Sequence, residues 1–253
     1  MSQRNDLAEY LLRLGDSALV TGQRLCEWCG RAPALEEELA LMNVGLDLIG
    51  QARGWYDYAA ELLDDGRNAD ALAFKREERD FRNLLIVEQP NGDYAITTLK
   101  LFFYDAWHLP TLEQLSESSD ERIAGVAGKA LKEARYHFKR SSEWVIRLGD
   151  GTDESHRRIS DAVDRLWRYT IEMVNIDPLE QELAKTGLAA DPAFVAEQWQ
   201  ARVAKVFEEA TLKLPEPAVP FYLNGRQGLH TEHLGQLLAE MQFLPRAYPD
   251  ATW

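Results

Sequence analysis

Four acidic residues stand inside apolar helical stretches, where an acid is out of place. Asp16 lies between Leu12 and Leu19, Asp47 follows Val44, Asp105 follows Leu101 and Phe102, and Glu133 follows Ala130. One carboxylate from each of two helices, plus a Glu-x-x-His pair from each of two others, is the donor set of a bundle that holds two metal ions. The spacing works because residues three apart share a helix face, and carboxylate oxygens with neutral imidazoles suit iron. The imidazoles this chemistry needs are missing. Gly50 stands three after Asp47 and Tyr136 three after Glu133, while His137 is one step further, about 100° around the helix. His108 follows Asp105 by three, but one such pair does not assemble a two-metal site.

Acids buried without metal must be paired within the protein. Lys129, four residues before Glu133, and Arg140, seven after it, share its face and are candidates to replace metal charge. Asn43 and Gln51, four residues either side of Asp47, are candidates for a neutral polar network. The residues therefore predict no catalytic group, metal ligand or cofactor in this chain. The competing possibility is an atypical metal site in which Asp16, Asp47, Asp105, Glu133 and His137 or His108 activate oxygen. A third is a small-ligand or regulatory protein using the cavity that absent metals would leave.

Two other motifs read as structural. Cys26 and Cys29 form a Cys-x-x-Cys in a helical stretch, where two thiols one turn apart are packing residues. His230 and His233 have a spacing that suits zinc, but Thr231 between them reads as a helix N-cap. The cluster Trp55, Tyr56 and Tyr58 reads as helix packing.

Positioning these residues takes long helices. Apolar residues recur at helical spacing nearly throughout, so the spacing predicts an all-α protein of about seven helices. The first runs from about Asp6 to Trp28, ending at Gly30 and Pro33. The second runs from near Ala34 to before Gly66, with Glu36, Glu37 and Glu38 in its first turn. A long connection, Arg67 to Asp93, closes on the turn signal Gln89-Pro90-Asn91-Gly92. The third helix, Tyr94 to Leu115, should kink at Pro110, and the fourth spans Asp120 to Leu148. Two helix pairs split by one crossover is the layout of a ferritin-like four-helix bundle. Further helices follow, at about Asp153 to Asn175, after Asp191-Pro192, and at Thr231 to Leu244. The chain thus reads as one domain, residues 1–253, with a core bundle at about 6–148 and added helices at 153–246.

Composition is that of a folded globular protein, with 45% hydrophobic and 28% charged residues. A net charge of −14 argues against nucleic acid as a partner. No apolar run reaches the roughly 20 residues a membrane helix needs, and the opening MSQRNDLAEY lacks a signal-peptide layout, so the cytoplasm is expected.

Several blocks, in order along the whole chain, carry a resemblance: Leu25-Cys26-Glu27-Trp28-Cys29-Gly30, Asn43 through Arg53, Asn83 through Gly92, Asp105-Ala106-Trp107-His108, Lys132 through His137, and Gly228 through Gly235. They resemble the C-subunit family of the bacterial phenylacetyl-CoA 1,2-epoxidases. The resemblance implies a ferritin-like, non-catalytic subunit that supports a homologous A subunit, which holds the di-iron centre and the acyl-CoA. It further implies a small B subunit and a reductase in the same complex, and leaves open a homodimer of the chain alone. On that basis Asp16, Asp47, Asp105, Glu133 and His137 are vestigial metal-site positions.

Overall fold

In the computed structural model, residues 3–249 and 251 are described, and they form helices joined by turns. Among them the only strand-like pairing is an isolated bridge between Asn224 and Leu229. The chain divides into two compact units, Met1–Pro90 with Phe221–Trp253, and Asn91–Pro220.

The first unit is built on two long helices, α1 (Gln3–Cys26) and α2 (Leu35–Leu63), packed along much of their length. From Leu7 to Leu25 nearly every side chain of α1 is buried, including Arg13, Asp16 and Arg24, so this helix carries its polar groups into the interior. α2 is one-sided: Leu41, Val44, Leu48, Trp55, Tyr56 and Ala59 form its buried face. The two helices come close at paired glycines. A Cβ on Gly22 would lie 2.9 Å from the Gly45 carbonyl oxygen, so α2 leaves no room for a side chain at Gly22, and one at Gly45 would be tight at 3.3 Å from the Gly22 carbonyl oxygen.

The connection expected to be irregular is ordered into short elements: α3 (Ala69–Phe74), a 3₁₀ turn at Glu78–Asp80, and α4 (Leu85–Glu88). Asn68 starts α3 by accepting the Ala71 N–H.

In the second unit, α5 (Tyr94–Leu115) pairs with α6 (Glu121–Gly149). Asp93 and Asp120 cap their N-termini. α5 runs through Pro110 as one helix rather than breaking there. α6 buries Ile123, Ala127, Ala130, Ala134, His137, Ser141 and Val145, a single stripe of small residues. Then come α7 (Asp153–Leu166), α8 (Ile171–Val174), α9 (Pro178–Ala184) and α10 (Pro192–Glu209). The helix expected over Asp153 to Asn175 is broken by a 3₁₀ stretch at Trp167–Thr170. There Trp167 packs with Phe103, Trp199 and Phe207, whose ring centroids lie 5.8 to 6.3 Å from it. α9 and α10 both open with an Asp-Pro cap, at Asp177-Pro178 and Asp191-Pro192.

The chain then returns to the first unit with α11 (Glu232–Met241) and α12 (Phe243–Ala247). The expected helix from Thr231 to Leu244 divides at Gln242, which is buried and donates to the carbonyls of Ala73 and Arg76. No helix among the described residues is long and apolar enough to cross a membrane.

Candidate functional site

Asp16 is fully buried on α1, and its two oxygens accept four donors. Arg76 reaches both with its two terminal nitrogens, at 3.1 Å to Oδ2 and in a shorter contact to Oδ1. The Tyr56 hydroxyl donates to Oδ1 at 2.5 Å and the Arg82 backbone N–H to Oδ2 at 2.7 Å. Arg76 is itself fixed by bonds to the carbonyls of Leu72 and Asp80, at 2.5 and 2.9 Å, and lies over the Phe81 ring, 4.3 Å from its centroid. Burial pulls the Arg76 pKa down, but the charges of Asp16, Tyr56 and Asp80 and the hydrogen bond to Asp16 together raise the value overall. Burial, then the Asp16 charge, raises that of Tyr56. A two-toothed guanidinium grip with both oxygens filled leaves this carboxylate nothing to offer a metal.

This arrangement also explains Gly15. A Cβ there would stand 2.7 Å from the Tyr56 ring, so only glycine lets α2's tyrosine lie across α1 to reach Asp16. The residue of α2 that meets Asp16 is thus Tyr56 and not Asp47. Asp47 is half-buried and Gln51 buried, but Asn43, expected in a network with them, is exposed on the outward side of α2.

In the second unit the structure brings together Asp105, His108, His137, Arg140 and Ser141. Ser141 donates to Asp105 Oδ2 at 2.7 Å, while Oδ1 and His108 Nδ1 are buried with no hydrogen-bond partner. Burial pushes the Asp105 carboxyl up to about 8, against the opposing pull of the Ser141 bond and the Arg140 charge. Burial, then nearby His137, lowers His108 to about 3. At neutral pH the cluster is a carboxylic acid beside a neutral imidazole. The Tyr104 ring stacks on His108 at 4.9 Å.

The cations expected to serve Glu133 are placed otherwise. Lys129 is exposed on α6, and Arg140 donates to the Tyr94 hydroxyl at 3.2 Å and acts on Asp105. Glu133 is only half-buried, so water screens part of its charge. The cation that does neutralise a buried acid is Arg76, from the crossover.

A second buried carboxylate, Glu88, carries no signal in the sequence that marks it as one. Its Oε1 accepts the N–H and hydroxyl of Thr231, both at 2.7 Å. Its Oε2 faces Asn83 Nδ2 at 2.9 Å and His230 Nδ1 at 2.8 Å. The other nitrogen of His230 faces the Phe81 carbonyl at 3.0 Å, so both ring nitrogens are turned to protein oxygens and not to an open position for zinc. Arg24 donates twice to the Glu88 carbonyl and once to that of His233. Thr231 is the N-cap of α11 by backbone geometry, but its hydroxyl goes to Glu88 and not to the helix. The two stretches Asn83–Gly92 and Gly228–Gly235 are therefore stitched to each other.

The cysteines are not both packing residues. Cys26 is half-buried, its thiol pushed up by burial and by Cys29 and Glu27, while Cys29 is exposed past the end of α1. Among the described residues no three or more His, Cys, Asp or Glu side chains group as a metal site would require. With both oxygens of Asp16 filled by protein donors, the predicted acidic positions do not make the donor set of a di-metal centre. Open grooves of about 500 and 410 Å³ lie in the first unit, beside Phe243 and Arg246 and beside Cys29 and Arg31. Neither is lined by any of the predicted acidic positions.

Comparison with known proteins agrees with this all-α architecture. The family described as "Phenylacetic acid catabolic protein" matches residues 1–253. The C subunit of the 1,2-phenylacetyl-CoA epoxidase of Escherichia coli (strain K12) is 49% identical over 249 residues, covering 98% of this chain and 100% of that protein. The fold class is the ferritin-like all-α class of that family, as the helix pattern and the resemblance led one to expect. The chain belongs to the phenylacetic acid catabolic protein family.

Proposed function

We propose that this chain is a non-catalytic structural subunit of a multicomponent phenylacetyl-CoA 1,2-epoxidase in aerobic phenylacetate degradation. It supports a homologous subunit that carries the di-iron centre and the acyl-CoA, with a small B subunit and a reductase completing the complex in the cytoplasm. In that complex, electrons from the reductase and oxygen activated at the partner's iron convert the aromatic ring to its 1,2-epoxide. No cofactor belongs to this chain.

The observation that carries the proposal is the state of Asp16. A carboxylate at the centre of a long buried helix has both oxygens filled by Arg76, Tyr56 and the Arg82 amide. A fixed protein cation does there what a metal ion would do electrostatically, without redox chemistry. The whole-length match to a relative named as a C subunit of that epoxidase supports the same reading.

The alternative, an oxygenase with an atypical metal site of its own, draws on the unpartnered Asp105 Oδ1 and His108 Nδ1. One experiment separates the two. The chain is purified alone and after co-expression with its di-iron sister subunit, then analysed for metal and by size-exclusion chromatography. The structural reading expects no stoichiometric iron in the chain alone and a stable complex with the sister. Two iron ions per isolated chain, or no complex, would overturn it.

A further inference from the structure

α2 has a second apolar face that this chain leaves open. Leu35, Leu39 and Leu46 are 68%, 57% and 60% exposed, Met42 between them is half-buried, and Ile49 after them is half-buried at the edge of the face, where it also lies against Gly22 of α1. The steps between these five residues are 4, 3, 4 and 3. That is the spacing of a coiled-coil seam, in which alternate apolar residues of one helix fit the gaps of another. The inward face of the same helix is already used by Leu41, Val44, Leu48, Trp55 and Tyr56.

Gly50 lies on this open face, exposed and in mid-helix. A glycine there is less favourable to the helix than alanine. Nothing in the chain requires it, because a Cβ at Gly50 would meet no atom within 4 Å. A glycine that its own chain does not need, beside a leucine seam, fits the close approach of a second backbone.

We propose that the seam Leu35, Leu39, Met42, Leu46, Ile49 docks a long helix of the sister epoxidase subunit, packed lengthwise with its backbone closest at Gly50. The inference rests on the structural-subunit reading above. Charge identifies the partner as a different polypeptide. α2 carries Glu36, Glu37, Glu38, Asp47, Asp57 and Glu61 against one cation, Arg53. Two copies meeting at this face would bring acidic flanks together in a chain already at −14. The docked helix must instead present an apolar seam flanked by Lys or Arg.

The test co-expresses the chain with its tagged sister subunit and measures affinity by biolayer interferometry, alongside the thermal melt of each isolated variant. Leu46→Glu should raise Kd at least tenfold. Gly50→Leu should do the same while leaving the melting temperature of the isolated chain equal or higher, which a folding defect cannot imitate. Lys132→Glu, on the outward side of α6, should leave Kd unchanged. Wild-type affinity in both α2 variants overturns the seam while leaving the subunit reading intact. Absence of binding by the wild-type chain overturns both. A wild-type homodimer that Leu46→Glu dissolves, with sister binding retained, overturns the assignment of the occupant.

Discussion

Arg76 grips the carboxylate of Asp16 with both terminal nitrogens, joining a residue of the crossover to the middle of a helix sixty positions earlier. Each side chain is almost completely enclosed, at 3% and 0% exposure. Neither charge is tolerable without the other, because removing one partner of a buried pair strands the other away from water.

Arg76→Met should therefore destabilise the protein by about 3–5 kcal/mol, the range for breaking a buried pair. Adding Asp16→Asn removes the stranded charge, keeps one acceptor for the Arg82 N–H and sets the amide N–H beside the Tyr56 hydroxyl, which can turn to accept it. The double variant should recover a large part of the loss. Urea denaturation of the four members of this cycle measures the coupling, and additive effects would show that the pair does not act as one.

Glycine positions give a cleaner contrast. Gly15→Ala sets a methyl group 2.7 Å from the Tyr56 ring and must push the tyrosine off Asp16. Gly128→Ala, in mid-α6, meets nothing within 4 Å. The first substitution should lower stability by about 1–3 kcal/mol, as overpacking does, and the second should raise it by about 0.5–1 kcal/mol through helix propensity. Thermal melts of the two variants check the opposite signs.

Much of this architecture is legible in the sequence, but not the partnerships. Long helices announce themselves through apolar periodicity and stop signals, and α2, α5 and α6 fall within a few residues of the expected limits. α9 carries the same Asp-Pro opening as α10 and is open to the same inference. Arg76 sits in a stretch of mixed charge that reads as a loose crossover. Glu88 and His230 are separated by 142 positions. Helical spacing reports neighbours three and four residues apart, so it flags a buried acid without saying which distant cation completes it. The expected pairing of Lys129 with Glu133 follows that local rule; in the structure Lys129 is exposed, Glu133 is half-buried, and the interior of α6 lies about a quarter turn away.

Asp105 and His108 shape the pH dependence of stability in opposite directions. Asp105, raised from 3.8 to about 8, makes the folded state bind more protons, so its contribution is full below pH 3.8 and is lost as pH rises through 8. His108, lowered from 6.5 to about 3, makes the folded state bind fewer, so its contribution is present above pH 6.5 and is lost as pH falls toward 3. The two slopes oppose each other between about 3.8 and 6.5, and only that of Asp105 acts from 6.5 to 8. Stability should then decline over that upper window, by at most about 1.4 kcal/mol per pH unit from this group. Asp105→Asn, still able to accept from Ser141, should remove this decline. Chemical denaturation of wild type and variant at pH 6.5 and 8 decides it, and equal declines would place the titrating group elsewhere.

Glu88 holds the returning C-terminal segment through its carboxylate, beside an Arg24 bridge from its carbonyl to that of His233, which makes its effect local and separable from the Asp16 grip. Both of its oxygens act only as acceptors, toward Thr231, Asn83 and His230. Glu88→Gln keeps the shape but turns one acceptor into a donor, which then faces either the Thr231 N–H or Asn83 Nδ2 and His230. On the second side His230 can answer by moving its proton to the nitrogen that faces the Phe81 carbonyl, but Asn83 Nδ2 remains a donor. Either way a donor meets a donor in a site closed to water, at a cost of about 1.5–3 kcal/mol for lost bonds to a charged group. The loss should fall first on the start of α11, whose opening N–H groups cannot be satisfied inside the helix. Hydrogen–deuterium exchange should accelerate at residues 230–238 in this variant while α5 and α6 keep wild-type protection. Unchanged exchange at α11 would mean that Arg24, through its bonds to the carbonyls of Glu88 and His233, suffices to hold the segment.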